Sequence, residues 1–512
     1  MNILAKTPFT LPLTLAGLFF LSPATAQKTI TKKNSQLGVQ YKVPKTLQQI
    51  PVNPVNDSPH LKDRWSATKK PLYGKGGAYV WGMGVLQFFP EGIKGGAAIT
   101  EGGSRKPKKP GDNTQLDRFR AMNRFPDFLS FIEKSPRYRV QIFEIKGKKE
   151  KQRAGDKLFY KHYRWKRGSS GTGWIYEAAV YQVNGQELAL LVHFPEEFEK
   201  KLSRTVRSVL QSLKVLKKIK KTKEQKIEGE QFVDLDPKLR RPLLAKAVES
   251  IKNLKEWGIF ATKHFIVLYS AEPKKKAKAR AFARHIASRM DEMHDVYEKY
   301  FPPHKNMKKW WSVLRICRNR QEFNRYGGTG GGVIGWFNPL SKELVIFNGK
   351  SGFSVETVAY HEGWHQYAHF WFPGAHLHRW FDEGHGDFFG SMIRKGKNRW
   401  VPAKSKMRTA NIKSLVATKK FVPINAIVRW HTDKFYGPGA ANYYAEGWAI
   451  VDFLRRGRKT PYWKKEWAKI LPTYIKVALE TKDTDKAIEE AFKGVDWEKF
   501  QGAWIKYVKK GL

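Results

Sequence analysis

Residues 361 to 365 read His-Glu-Gly-Trp-His, and residues 380 to 390 read WFDEGHGDFFG. On a helix, residues four apart share a face, so His361 and His365 can offer two imidazole nitrogens to one metal ion while Glu362 stands beside it. A hydrolytic zinc usually takes three protein ligands and leaves one position open for water. Glu383, 18 positions after His365, begins its own apolar-rich run. A second helix crossing the first could bring that carboxylate to the metal. Asp387, one turn further along, is then placed to accept a hydrogen bond from the free ring nitrogen of a ligating histidine, which fixes its tautomer.

The pair "HEGWH" and "DEGHGDFFG" resembles the gluzincin metallopeptidases, in which a helical HExxH is followed 18 to 20 residues later by a Glu in an EG motif. The string Glu383, Gly384, Asp387, Gly390 looks like the thermolysin pattern. The stretch from Trp380 to Gly384 looks like the WLxEG of aminopeptidase N-type and peptidase-MA-like enzymes. "YYAEGWAIVDFL", residues 443 to 454, is similar to a YxxGxAxxxxL segment of the aminopeptidase branch. The order of segments resembles a largely uncharacterised family of secreted bacterial peptidase-MA-like domains over about residues 255 to 510, roughly half of the chain.

That resemblance implies a zinc metallopeptidase with Zn2+ held by His361, His365 and Glu383. The zinc would act as Lewis acid and lower the pKa of its water toward about 7. Glu362 is then the general base that passes the water's proton to the leaving amine. Tyr444 maps onto the tyrosine that donates a hydrogen bond to the developing oxyanion, with Tyr443 and His431 as substitutes. It also implies that the strand from about 333 to 337 is the edge that pairs with an extended substrate backbone. Where the family tends to place a small or apolar residue, this chain has His385. His369, His376 and His378 crowd the same region, which leaves an alternative ligand or a second metal open.

Other motifs are weaker or absent. A metzincin would need Gly at 368 and His at 371, where Ala368 and Trp371 stand. Gly330, Gly332 and Gly335 satisfy GxGxxG but lead into a hairpin pattern instead of a helix, which argues against a nucleotide cofactor. Neither GxxxxGK[ST] nor GxSxG occurs.

The elements that must position these residues follow from periodicity. "HFIVLYS" (264 to 270), "SVLRICR" and "ELVIF" read as strands, residues 274 to 300 as a long helix, and helical patterns dominate from about 352. Strands first and helices afterwards predict an α+β domain over 246–512. Gly363 costs a helix interior about 1 kcal/mol relative to Ala and predicts another element packed close to the HExxH helix. Trp364, Tyr367, Phe370, Trp371 and Phe372 read as the packing around it.

In the amino-terminal half, "YRVQIFEI", "KLFYKHYRWK", "GWIYEAAVYQV" and "ELALLVHF" read as strands, with Asn184-Gly185 as a tight turn. Residues 196 to 215 carry a helical stripe of Phe198, Leu202, Val206, Val209 and Leu213. These predict an α+β accessory domain over 76–216, a small antiparallel sheet plus helix, with a Gly-rich hairpin inside 77–103. Residues 27–75 read as an extended linker, and 217–245 as a basic linker ending at Pro237 and Pro242.

Residues 1–26 carry Lys6, an apolar run from Leu11 to Leu21 and an AxA-like site at Ala24 and Ala26, the pattern of a signal peptide. The expectation is a secreted or periplasmic protein without a transmembrane anchor. Cys317 is the only cysteine among 512 residues, so no internal disulfide is expected, and it reads as a passive thiol. The net charge of +49 excludes nothing by itself, but such a field draws an anionic polymer or surface. Two function classes follow. One is a secreted zinc metallopeptidase acting on a peptide or protein. The other is a weakly catalytic or non-catalytic binding protein on the same scaffold, attached to acidic polymers by its cationic face. The intact Glu362 favours the first.

Overall fold

The structure is a computed structural model. It describes residues 27–67, 71–74, 77–88, 124–134, 148–152, 158–167, 173–216, 227–229, 237–252, 254–327, 333–349, 354–396 and 399–512. The signal-peptide reading, the strand reading of "YRVQIFEI", most of the basic linker, and Gly330 and Gly332 lie outside these residues. The fold is α+β: antiparallel sheets in the amino-terminal part, and a five-stranded sheet followed by a mainly helical region in the carboxy-terminal part. Among the described residues no helix is long and apolar enough to cross a membrane.

The amino-terminal part is built on a seven-stranded antiparallel sheet. Its centre is the hairpin of Trp174–Val183 and Gln186–Pro195, turned at Asn184 and Gly185, both at positive φ (51° and 74°). Gly82–Phe88 pairs with Gln186–Pro195, and Leu72–Gly74 forms a separate short hairpin with Gly77–Tyr79. Helix Glu199–Leu210 lays Leu202, Val206, Val209 and Leu210 on one face. Phe128–Lys134 covers the other with Phe128, Phe131 and Ile132.

Residues 27–75 are not a linker. Thr29–Asn34 and Val39–Pro44 pair in a small sheet, while Gln48–Ile50 and Leu61–Ser66 extend the large one. Val39, Tyr41 and Val43 alternate inward and are buried, and their Lys and Gln neighbours point outward, as period-2 strands require. The basic-linker reading also ends too late, because Pro237 opens a helix, Pro237–Ile251, which contains Pro242 and buries Leu243, Leu244, Ala247 and Ile251.

The carboxy-terminal sheet contains β1 (Trp257–Ala261), β2 (Phe265–Ser270), β3 (Ser312–Cys317), β4 (Trp336–Asn338) and β5 (Glu343–Phe347), in the order β1-β2-β3-β5-β4. β2, β3 and β5 run parallel, and β1 and β4 are antiparallel edges. Parallel neighbours need crossovers. The one from β2 to β3 contains α1 (Lys276–Tyr300). Cys317 is buried in β3, and burial holds its thiol well above the usual range, so it stays protonated.

The helices that follow include α2 (Val355–Trp371), α3 (Arg379–Gly390), α4 (Lys406–Ala417), α5 (Thr432–Phe435), α6 (Ala440–Arg456), α7 (Ile470–Thr481), α8 (Thr484–Ala491) and α9 (Trp497–Lys510). One large core, rich in Trp, Phe and Tyr, joins α1, β2, β3 and β5 to this helical layer. Two caps define α2. Ser354 accepts from the Thr357 N–H at 3.1 Å at its start, and Pro373 follows its end. Gly363 packs against α1, where an added Cβ would lie 2.6 Å from Met290 Cε and 2.8 Å from the Tyr297 hydroxyl.

Glu446 on α6 is only 1 % exposed, and its Oε2 accepts from the Val422 N–H at 2.9 Å. Burial pushes its carboxyl up to about 8, against that hydrogen bond. With the folded value above the unfolded one, the native state holds the extra proton between about pH 4.5 and 8, so stability is full below that window and falls as pH rises through it. The carboxy-terminal unfolding midpoint is expected to drop by several degrees between pH 5 and pH 9. Glu446→Gln should flatten that drop, as thermal melts read by circular dichroism would show.

Candidate metal centre

α2 presents His361, Glu362 and His365, and α3 crosses it to present Glu383. The crossing is fixed by the Trp364 indole N–H, which donates to the Asp382 carbonyl at 2.9 Å, and by rings of Trp364, Phe381, His385 and Phe389 packed between the two helices. Nε2 of His361 lies 3.0 Å from Oε2 of Glu383 and 3.1 Å from Nε2 of His365, which is itself 3.3 Å from the same carboxylate oxygen. Ligands bound at about 2.0–2.2 Å around a tetrahedral ion stand roughly 3.3–3.5 Å apart. The three donor atoms therefore fit a zinc ion with small outward adjustments. The imidazoles are 14 % and 15 % exposed and Glu383 5 %, so the cluster is largely buried and the histidines are its more exposed members.

Each histidine is aimed from behind by a carboxylate. Asp387 Oδ1 is 3.2 Å from Nδ1 of His361, as the sequence spacing led us to expect. Asp382 Oδ1 is 2.8 Å from Nδ1 of His365, a partner that sequence reasoning missed. Both carboxylates are tied outward to guanidinium groups: Arg408 Nε to Asp387 Oδ2 and Arg379 to Asp382 Oδ2, each at 2.8 Å. A carboxylate on Nδ1 makes that nitrogen the protonated one and leaves the Nε2 lone pair for a metal. Without a metal the same groups act as bases. Burial lowers the pKa of His361, but Asp387 and Glu383 outweigh it and push the ring up to about 10. His365 is likewise raised by Asp382 and Glu383 against burial, and Glu383 is held well below its usual range by the two imidazoles.

Glycines make the crossing close enough. A Cβ on Gly386 would lie 2.8 Å from Cε1 and 2.9 Å from Nδ1 of His361, so the imidazole lies against the bare backbone of α3.

Glu362 points toward β4, and its Oε2 accepts from the Phe337 N–H at 3.1 Å. Desolvation holds its carboxyl above the ordinary glutamate value, although His361 and His365 pull it down. A Cβ on Gly335 would meet Val358 Cγ1 at 2.4 Å and Glu362 Cγ at 3.1 Å, so the chain entering β4 runs directly over α2. β4 covers 336–338, slightly later than the expected 333–337.

Two tyrosines approach the other side. The Tyr444 ring centroid is 6.3 Å from that of His361, with the Arg408 guanidinium 4.9 Å from the ring centre. Burial, and then the charge of Glu383, raise its pKa and keep its hydroxyl protonated. Tyr436, which no motif marked, donates its hydroxyl to Oε1 of Glu383. Tyr443 instead donates to the Pro438 carbonyl at 3.0 Å. The crowding histidines separate. His369 packs its ring 5.4 Å from Phe337, and burial with Lys342 and Lys308 lowers it to about 4. Buried His385 bonds the Phe381 carbonyl at 2.7 Å and faces Arg455 at 3.0 Å. His378 and His431 pair with Asp485 elsewhere.

No known family model matches the chain, and no curated protein does. Among solved structures, it is similar to cyanobacterial PsbP (CyanoP) from Synechocystis sp. PCC 6803, with 12% identity, a TM-score of 0.23, and 39% of this chain and 99% of that chain covered. It is also similar to the Ran-binding protein Mog1p of Saccharomyces cerevisiae, with 8% identity, a TM-score of 0.22, and 37% and 97% covered.

Substituting Gly386 sets two effects against each other. Ala gains about 1 kcal/mol of helix propensity, but its methyl group lands on the His361 ring. Gly386→Ala is expected to leave the melting temperature close to that of the wild type while weakening zinc binding. Asp382→Ala should weaken zinc about 10–100-fold. Competition against a chromophoric chelator measures both, and unchanged affinity in the two variants would refute the arrangement.

Proposed function

We propose that the chain is a zinc-dependent metallopeptidase that hydrolyses peptide bonds. The observation that carries this reading is the convergence of His361 Nε2, His365 Nε2 and Glu383 Oε2 at 3.0 to 3.3 Å, with a carboxylate behind each imidazole. A zinc ion held by these three would polarise a water and the scissile carbonyl as a Lewis acid.

The chain's own residues divide the remaining work. Glu362 sits between the histidines and β4, and its raised pKa suits a group that takes the attacking water's proton and returns it to the leaving amine nitrogen. β4 is the antiparallel edge of its sheet and turns the Phe337 N–H toward Glu362. An extended peptide laid along that edge would bring its carbonyl above the three ligands. Tyr444, kept protonated beside His361, is a donor for the oxyanion. Tyr436 orients Glu383 through its second carboxylate oxygen. The amino-terminal signal pattern and the high positive charge go with action outside the cytoplasm on substrates near acidic surfaces.

Glu362→Gln should abolish hydrolysis of a broad-specificity quenched-fluorescent peptide library while zinc content stays near one ion in this site. Tyr444→Phe should lower kcat by about 10²–10³-fold with KM little changed. A wild-type protein that binds zinc and cleaves nothing in the library would overturn the peptidase reading.

A further inference from the structure

A second set of donor atoms lies outside the site described above. His378 caps the start of α3 and is buried, His431 caps the start of α5, and Asp485 stands in the first turn of α8. His378 Nε2 is 3.1 Å from Asp485 Oδ1, and His431 Nε2 is 3.6 Å from the same oxygen. The two imidazoles stack with their centroids 5.4 Å apart. All three donor atoms lie within 4.8 Å of one another.

We propose that His378, His431 and Asp485 form a second, separate metal site for a divalent transition ion of the Zn2+ type. Ligands on a tetrahedral zinc are spaced roughly 3.3–3.5 Å apart, so the two distances to Asp485 need only small changes. The wider gap between the imidazoles closes by rotating His431, whose side chain is 73 % exposed. His378 is already aimed. Its backbone N–H donates to the Tyr474 hydroxyl at 3.1 Å, and its Nδ1 lies 3.4 Å from that oxygen, so Nε2 is the nitrogen presented to Asp485. Arg379, the nearest cation in sequence, is tied to Asp382 at 2.8 Å instead of to Asp485. Two imidazoles and one carboxylate suit zinc and its neighbours, whereas calcium and magnesium take oxygen donors.

The site has a mechanical consequence. α3 carries Glu383, and α5 leads directly into Tyr436, whose hydroxyl donates to that carboxylate. An ion shared by His378 and His431 ties the beginnings of these two helices together, and Asp485 adds α8. Binding at the second site would therefore stiffen the frame that holds Glu383, without touching the three ligands of the first.

The test is calorimetric titration of the metal-free full-length chain with Zn2+. The wild type is expected to take two equivalents, and His365→Ala to keep the one that belongs to the second site. Adding His431→Ala to that variant should weaken the remaining equivalent by at least the about 10–100-fold that loss of even an outer partner costs. Zn2+ should raise the melting temperature of His365→Ala but not of the double variant, since an ion stabilises only a fold that binds it. Asp485→Asn in the otherwise intact chain, an exposed change that spares the core, should remove the weaker equivalent alone. A single wild-type equivalent lost with His365→Ala, or two equivalents of unchanged affinity in Asp485→Asn, would overturn the proposal. A single equivalent lost in Asp485→Asn but kept in His365→Ala would uphold it and refute the zinc reading of the first site.

Discussion

The candidate site depends on how closely α3 can approach α2. The His361 ring occupies space that any side chain at Gly386 would fill, and Gly384 allows a similar approach on the far side, where an added Cβ would lie 2.5 Å from the Gly447 carbonyl of α6. α3 thus lies between two helices, against the His361 side chain of α2 on one side and the Gly447 backbone of α6 on the other. Three glycines in a helix of 12 residues weaken it intrinsically, by about 1 kcal/mol each. Burial of Trp380, Phe381, Phe388 and Phe389 on the same helix supplies the compensating apolar contact. Such a helix is stable only where it packs, so Glu383 and the carboxylates beside it exist as a unit with the core.

The parts of the site that were legible in the sequence are those that one helix writes at fixed spacing. His361, Glu362 and His365 share a turn, and Glu383 and Asp387 share the next helix, so helical periodicity sufficed. Asp382 was invisible for a simple reason: a carboxylate in the first turn of a helix is expected for its interaction with the helix dipole, and nothing in the string distinguishes that role from aiming His365. Tyr436 follows a helix of four residues and reaches Glu383 through tertiary packing, which leaves no periodic signal. The amino-terminal strands were missed because their outward residues are Lys, Gln and Thr. With one face solvated, segments such as "VQYKVP" read as polar coil unless the alternation of Val39, Tyr41 and Val43 is given weight over composition. The carboxy-terminal strands, buried on both faces, were plain in the sequence as continuous apolar runs.

The charge distribution runs against the whole-chain average. The chain has 95 Lys and Arg against 46 Asp and Glu, yet four carboxylates, Glu362, Asp382, Glu383 and Asp387, gather around two imidazoles. Arg379 and Arg408 stand behind the outer two. A guanidinium sits on the far oxygen of each Asp, so each carboxylate is held from one side by an Arg and faces the histidine's Nδ1 with its other oxygen.

This arrangement has two matching arms, Arg408–Asp387–His361 and Arg379–Asp382–His365, which meet at Glu383. Both arms arrive from different directions: Arg408 from α4, and Arg379 from the first residue of α3 itself. Arg408 also lies over the Tyr444 ring, so the arm that aims His361 is in contact with the candidate oxyanion donor. Arg379 follows His378 directly in sequence, so the arm that aims His365 begins beside the second donor cluster. Displacing the start of α3 would therefore shift Asp382 and Glu383 together, since both stand in the turn that follows, and would alter the surroundings of His365 through both carboxylates and those of His361 through Glu383.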